Sequence, residues 1–193
     1  MSTNENRKYE PKISSRVNVY PSKYKDGNIK YSGQPIAAYF NVNIMADEGV
    51  KDWYNENTFM PSTEKSVGFD LRAMVDNECG FVEIQPHERY KFNTGIHIQP
   101  KEFGINGYVF SRSGLGAKQG LVVAQGVAVI DPDYTGPIVL YMLNTSNEII
   151  VVKHGDRIAQ LVFMRYELPR FNFVDTLDET DRGDGWFGST GSE

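Results

Sequence analysis

Cysteine is nearly absent from this chain. Cys79 is the only one in 193 residues, which excludes an intrachain disulfide and any cysteine-rich zinc site. It is expected to be a half-buried apolar residue in a reducing compartment. No apolar run approaches a membrane span, and the N-terminus MSTNENRKYEPK lacks the apolar stretch of a secretory signal. A soluble, intracellular protein (cytoplasmic or in a host-cell compartment) with no membrane partner is therefore expected. Positive charge is also scarce: 20 Lys and Arg against 25 Asp and Glu leave a net charge of -5. Without a basic field no nucleic-acid partner is expected, and a polyanion would have to be held by local arginines and backbone amides. Long amphipathic helices are missing too; only Leu115 to Lys118 suggests a single turn.

What is present is a series of short apolar strands. Residues 1–35 form a polar extension, read as disordered or laid over a partner. A first strand is expected in IAAYFNVNI from Ile36. Met45 to Ser66 is an acidic, aromatic-bearing connection, long for a loop, with a helical turn placed around Val50 to Tyr54. This insertion and the extension are the candidate contact surfaces for a protein partner. After Ser66 come VGFDLRAM, GFVEIQ, RYKFNTGIHIQ, NGYVFSR, LVVAQGVAVI, PIVLYMLN, EIIVV and RIAQLVFMRY, separated by turn residues. The pattern is that of one all-β barrel or jelly-roll domain over 36–175, followed by a C-terminal arm over 176–193. Strands apolar on both faces, PIVLYMLN and RIAQLVFM, either cross a core or are covered by another subunit.

Several segments have residue types suited to phosphate chemistry, and each taken singly has an ordinary reading as well. In FSRSGLGAKQG, Arg112, Ser113 and Gly114 follow an apolar strand, forming either an anion-binding corner or a plain capped turn. GVAVIDPDYTG has Asp131, Asp133 and Tyr134 on a hairpin between two strands: ordinary turn chemistry, or a general base beside a flat wall for a sugar. Asp70, inside the strand SVGFDLRA, either pairs with an arginine or organises waters around a magnesium ion. In HGDRIAQLVF, Arg157 reads as a structural ion pair and Gln160 as a donor to phosphate. The tail RGDGWFGSTG has four glycines in ten residues; it is either a frayed end or a segment that orders on an anion bearing a flat ring.

In this order SVGFDLRA, SRSGLGAKQG, GVAVIDPDYTG, GDRIAQLVF and RGDGWFGSTG resemble the five motifs of the homotrimeric dUTPase family, over about Ser66 to Gly191. The resemblance implies a distorted jelly-roll subunit, a three-fold trimer, and a C-terminal arm exchanged over a neighbour's site. It implies hydrolysis of dUTP to dUMP and pyrophosphate, with Mg²⁺ on the triphosphate. Asp131 would orient and deprotonate the attacking water, and Tyr134 would lie under the deoxyribose and exclude a 2′-hydroxyl. Arg112, Ser113, Gly114 and Gln160 would bind phosphates, and Asp70 would hold a water of the magnesium shell. Gln125, Val127, Val129, Ile130 and Val139 would surround the uracil, largely through backbone groups. Arg182 would reach the γ-phosphate, Phe187 would stack on the base, and Gly188, Ser189 and Thr190 would complete the lid.

Three positions depart from the family pattern: Ser111 stands where proline is usual, Ala128 where glycine is common, and Trp186 where the last motif has a second glycine. Ala128 either fits or narrows the pocket. A dCTP deaminase of similar fold would carry a glutamate in the strand after the third motif, where this chain has Tyr141. Deaminases built on a metal-bound water lack their Cys and His ligands here. A nucleotide-gated regulator using the insertion as its contact surface is the non-enzymatic rival.

Overall fold

Apolar and polar residues alternate at the strand period of two, and this alternation decides which face of each strand is buried. The computed structural model describes residues 40–63 and 66–185. The polar extension over 1–35, the first part of the expected initial strand, and Trp186 to Thr190 of the tail lie outside the described residues. The strands are β1 (Val42–Ala46), β2 (Phe69–Arg72), β3 (Phe81–Ile84), β4 (Arg89–Asn93), β5 (Ile96–Pro100) and β6 (Ile105–Ser111). After the helix α1 (Ser113–Gln119) come β7 (Leu121–Val123), β8 (Val127–Ile130), β9 (Val139–Asn144), β10 (Ile150–Lys153) and β11 (Arg157–Arg165). All pairings are antiparallel, in the orders β2-β11-β6-β8, β4-β9-β7, β1-β5 and β10-β3. The expected all-β jelly-roll architecture is present.

Two expected strands are each broken by a glycine. RYKFNTGIHIQ divides at Gly95 (φ 68°) and LVVAQGVAVI at Gly126 (φ 80°), in the left-handed region that glycine enters without strain. In both cases the chain leaves one sheet and enters another: β4 pairs with β9 but β5 with β1, and β7 pairs with β9 but β8 with β6. For the same reason Asp131 to Ile138 is not the expected hairpin. It crosses from β8 in one sheet to β9 in another, so its shape is not set by a ladder.

Phe92, Ile96, Val109, Leu121, Leu140, Met142, Ile158 and Leu161 are essentially sealed from solvent and form the core. The insertion contributes to it. A short 3₁₀ turn at Glu48–Val50 starts a few residues before the expected helical turn, and Val50, Tyr54 and Phe59 are buried in the main cluster. Trp53 packs on the His154 ring at 4.8 Å between centroids. The Tyr54 hydroxyl accepts the Arg72 N–H at 2.9 Å, and burial pushes the Tyr54 pKa up from 10.0 to about 12 against the opposing pull of that bond. The insertion's aromatic side chains thus face inward, where they hold β2. Cys79, by contrast, is exposed. It sits in the turn between β2 and β3, where no strand period draws it into the core.

A β-bulge interrupts β11. Arg157 pairs with Arg72 and Ala159 with Leu71, so two residues of β11 span one step of β2. Ile158 and Ala159 are consequently both buried, and Arg157 and Gln160 emerge on the same outer face.

Candidate active site

A cleft of about 420 Å³ opens where β2, β11 and the start of α1 meet. Asp70 on β2 lies opposite Gln160 on β11 in the strand register, and Arg112 leads from β6 into α1. The Asp70 carboxylate accepts from Arg112 Nε at 2.7 Å and from Arg157 Nη1 at 2.9 Å. Arg112 Nη1 also donates to the Arg157 carbonyl at 3.2 Å. Two guanidinium groups around one carboxylate leave a surplus positive charge, and the forked Arg112 keeps further donors for a ligand. An anion of several charges is the complement of such a cleft.

Neutral groups complete its wall. Gln160 Nε2 donates to the Ser111 carbonyl at 3.0 Å, which fixes the amide plane. A Cβ at Gly68 would collide with Gln160 Oε1, so residue 68 is glycine to leave room for that side chain. At Gly114 an added Cβ would meet nothing within 4 Å; the chain's own packing does not require a glycine there, so the space it leaves belongs to the cleft. Ser111 ties β6 to β7, since its hydroxyl accepts the Val123 N–H at 2.8 Å. Proline could not supply that acceptor.

The third motif lies outside this cleft. Asp131 and Tyr134 do not line it; both are exposed in the sheet-crossing segment. The Asp131 carbonyl accepts the Tyr134 N–H at 3.0 Å, and Tyr134 Oη donates to the Pro137 carbonyl at 2.9 Å. The ring lies so close over Gly136 that a Cβ there would overlap it. Along β8, Val127 and Val129 point outward while Ala128 and Ile130 point into the core. The Ala128 methyl is on the inner face of β8, so it does not narrow a pocket on the outer face. Gln125, Val139 and Tyr141 are exposed as well. Arg182 is exposed in a turn, where its Nε donates to the Gly185 carbonyl at 3.1 Å.

One chain therefore brings Asp70, Arg112, Ser113, Gly114 and Gln160 into a single cleft, and leaves Gln125, Val127, Val129, Ile130, Asp131, Tyr134, Val139 and Arg182 outside it. Sequence reasoning missed Gly68, whose need appears only once β2 and β11 are paired. It read Arg157 as a structural ion pair, and that pair is present with Asp70, but it did not foresee that the bulge in β11 also turns Arg157 into the cleft wall.

Residues 55–191 match the family model described as dUTPase. The chain is 46% identical over 130 residues to the deoxyuridine 5′-triphosphate nucleotidohydrolase of Desulfitobacterium hafniense (strain DSM 10664 / DCB-2), covering 67% of this chain and 84% of that one. It is 42% identical over 132 residues to the protein of the same name from Haemophilus influenzae (strain PittEE), covering 68% and 85%. Its fold is similar to that of a point mutant of the Staphylococcus bacteriophage 80alpha dUTPase with dUpNHpp (TM-score 0.60, 23% identity, 78% of this chain and 98% of that one).

Proposed function

The chain belongs to the dUTPase family and is a dUTP diphosphatase; we propose that it works by magnesium-assisted attack of an Asp131-activated water on the α-phosphate, in a site completed by three copies of the chain. The observation that carries this reading is the cleft of Asp70, Arg112 and Arg157, a local positive surplus in a chain of net charge -5. Hydrolysis of a triphosphate needs mainly positioning, charge neutralisation and one activated water. Arg112, Ser113, Gly114 and Gln160 bind and orient the phosphate chain, and Asp131 takes the proton of the attacking water. Tyr134 supports the deoxyribose, and backbone groups of Gln125, Val127, Val129, Ile130 and Val139 select uracil. A wrong base leaves those groups unpaired, which disfavours it strongly. Arg182, with Phe187 to Thr190 beyond the described residues, closes over the nucleotide and excludes bulk water.

Among the described residues no cluster of three or more His, Cys, Asp or Glu could hold a metal ion. The donor set therefore fits a magnesium ion held by the substrate's phosphates, with Asp70 reaching its hydration shell. Its two arginine partners use only part of the carboxylate's accepting capacity. When bound, the ion supplies charge neutralisation along the triphosphate.

Trimer formation is supported by the outward apolar side chains of β8 and β9, which a lone subunit would leave in water. The dUMP formed would supply thymidylate synthesis. The test is pyrophosphate release from dUTP, dCTP, dTTP and UTP in parallel, with magnesium and with EDTA. Magnesium-dependent release from dUTP alone is expected; equal release from UTP or dCTP would remove the sugar or base reading.

A further inference from the structure

The sheet-crossing segment carries both Asp131 and Tyr134, and its far end is tied at two points. Ile138 is one: its N–H donates to the Ile96 carbonyl at 2.9 Å, and its carbonyl accepts from Thr94 N–H at 3.1 Å and Thr94 Oγ1 at 2.8 Å. The second tie is a side chain. His97 on β5 places Nδ1 2.8 Å from the Thr135 carbonyl and Nε2 3.1 Å from Asp47 Oδ1. Its side chain is only 15% exposed. Asp47 is held in turn, since its N–H donates to the Gly95 carbonyl at 2.8 Å.

A carbonyl and a carboxylate can only accept. For both contacts to be hydrogen bonds at once, both ring nitrogens must carry protons, as they do in an imidazolium. The charged or titratable groups on the segments meeting the ring are Asp47, Glu48 and Lys51 after β1, with Lys51 paired to Glu48, and Asp131, Asp133 and Tyr134 in the crossing segment. From β1 itself the residue opposite His97 is the uncharged Met45.

We propose that His97 is a positioning residue of this enzyme: bridging Asp47 and the Thr135 carbonyl, it holds the Tyr134–Gly136 turn in the shape that receives the nucleotide's sugar. Thr135 lies between the Tyr134 ring and the glycine beneath it, so moving its carbonyl moves the platform. Loss of one proton from His97 removes one of the two bonds and loosens the turn. The inference rests on the reading of Tyr134 as the sugar platform, and it gives the Asp47 end of the insertion a part in substrate affinity.

The test uses full-length protein, with KM and kcat for dUTP measured from pH 5.5 to 9 in the parent chain, His97→Ala and His97→Gln. At pH 6, His97→Ala is expected to raise KM about tenfold while kcat stays within about twofold, the signature of lost binding without lost chemistry. The parent's KM should rise with pH in step with the His97 titration followed by ¹⁵N NMR of the ring. His97→Gln, which donates from one nitrogen only, should lie between the two and lack that step; its curve also corrects for ionisation of dUTP itself. Superimposable KM–pH curves for parent and variants, or a neutral ring at pH 6, would overturn the proposal. Should His97→Ala fail to fold, His97→Gln and the NMR titration decide it. Absence of dUTP hydrolysis in the parent chain would sink the activity reading instead, and the spectrum would still report whether the clamp exists.

Discussion

In the cleft between β2, β11 and α1, Asp70 lies between two guanidinium groups and Gln160 is pinned to the Ser111 carbonyl. At the β8–β9 end nothing comparable holds: Asp131 and Asp133 are exposed and make no ion pair among the described residues. There Val129 is 55% and Tyr141 51% exposed. The phosphate end is pre-organised by the chain's own ion pairs, so its electrostatics need no rearrangement when an anion arrives. The end proposed for base and sugar offers apolar surface and an exposed carboxylate, which the proposed trimer would cover with another subunit. In the proposed trimer, charge recognition would be local to one subunit, whereas selectivity and water activation would depend on assembly.

The largest expected effect breaks the second end. Asp131→Asn should lower kcat by about 10³-fold, within the range for a lost general base, with dUTP affinity nearly unchanged by equilibrium binding. An unaltered rate would remove Asp131 from the chemistry. Breaking the first end should be less severe: Asp70→Asn leaves both arginines without their shared anion and should lower kcat/KM about tenfold, mostly through misplacement of Arg112. If the variant bound dUTP more tightly at unchanged kcat, Asp70 would be only a brake on anion affinity. Gly68→Ala sharpens the comparison, because it moves Gln160 without touching a charge. A rise in KM of about threefold is expected, roughly the loss of one neutral hydrogen bond, and no change would mean that Gln160 does not contact the phosphates.

Much of this was readable from the chain. Some strands announced themselves by alternation, as in FVEI, because a half-buried strand imposes period two on its own residues, and others, as in VLYMLN, by an apolar run bounded by turn residues. The sheet changes at Gly95 and Gly126 were not readable, since pairing is a property of distant segments and both glycines resemble ordinary turns. The hairpin expected at Asp131 failed for that reason. Asp70, Arg112 and Gln160 stood out as polar residues on apolar strands, but the Asp70–Arg157 pair joins positions 87 apart. His97 gave no signal: a lone histidine in IHIQP has no spacing that marks it. The insertion's acidic composition concealed that Trp53, Tyr54 and Phe59 turn inward, because turns impose no period.

The smallest expected effect tests that inward packing. Tyr54→Phe should destabilise the fold by about 1 kcal/mol in urea unfolding, the worth of one hydrogen bond, with kcat and KM unchanged. The pH dependence has a definite sign. The folded chain keeps the Tyr54 proton up to about 12, whereas the unfolded chain releases it near 10.0, so the folded state binds more protons in between. Stability should therefore fall as pH rises through that window, and Tyr54→Phe should lack this component of the fall.

The bulge in β11 fixes a tolerance for length as well as a geometry. Arg157 and Gln160 share a face because Ile158 and Ala159 are both swallowed by the core. Deleting Ile158 would leave Arg157 and Gln160 two residues apart in an unbroken strand and still on one face, whereas one residue more between them would turn one of the two toward the core. Descendants of this sequence can exchange side chains along the strand or lose the bulge, but a single-residue insertion there would part the two polar side chains at one stroke.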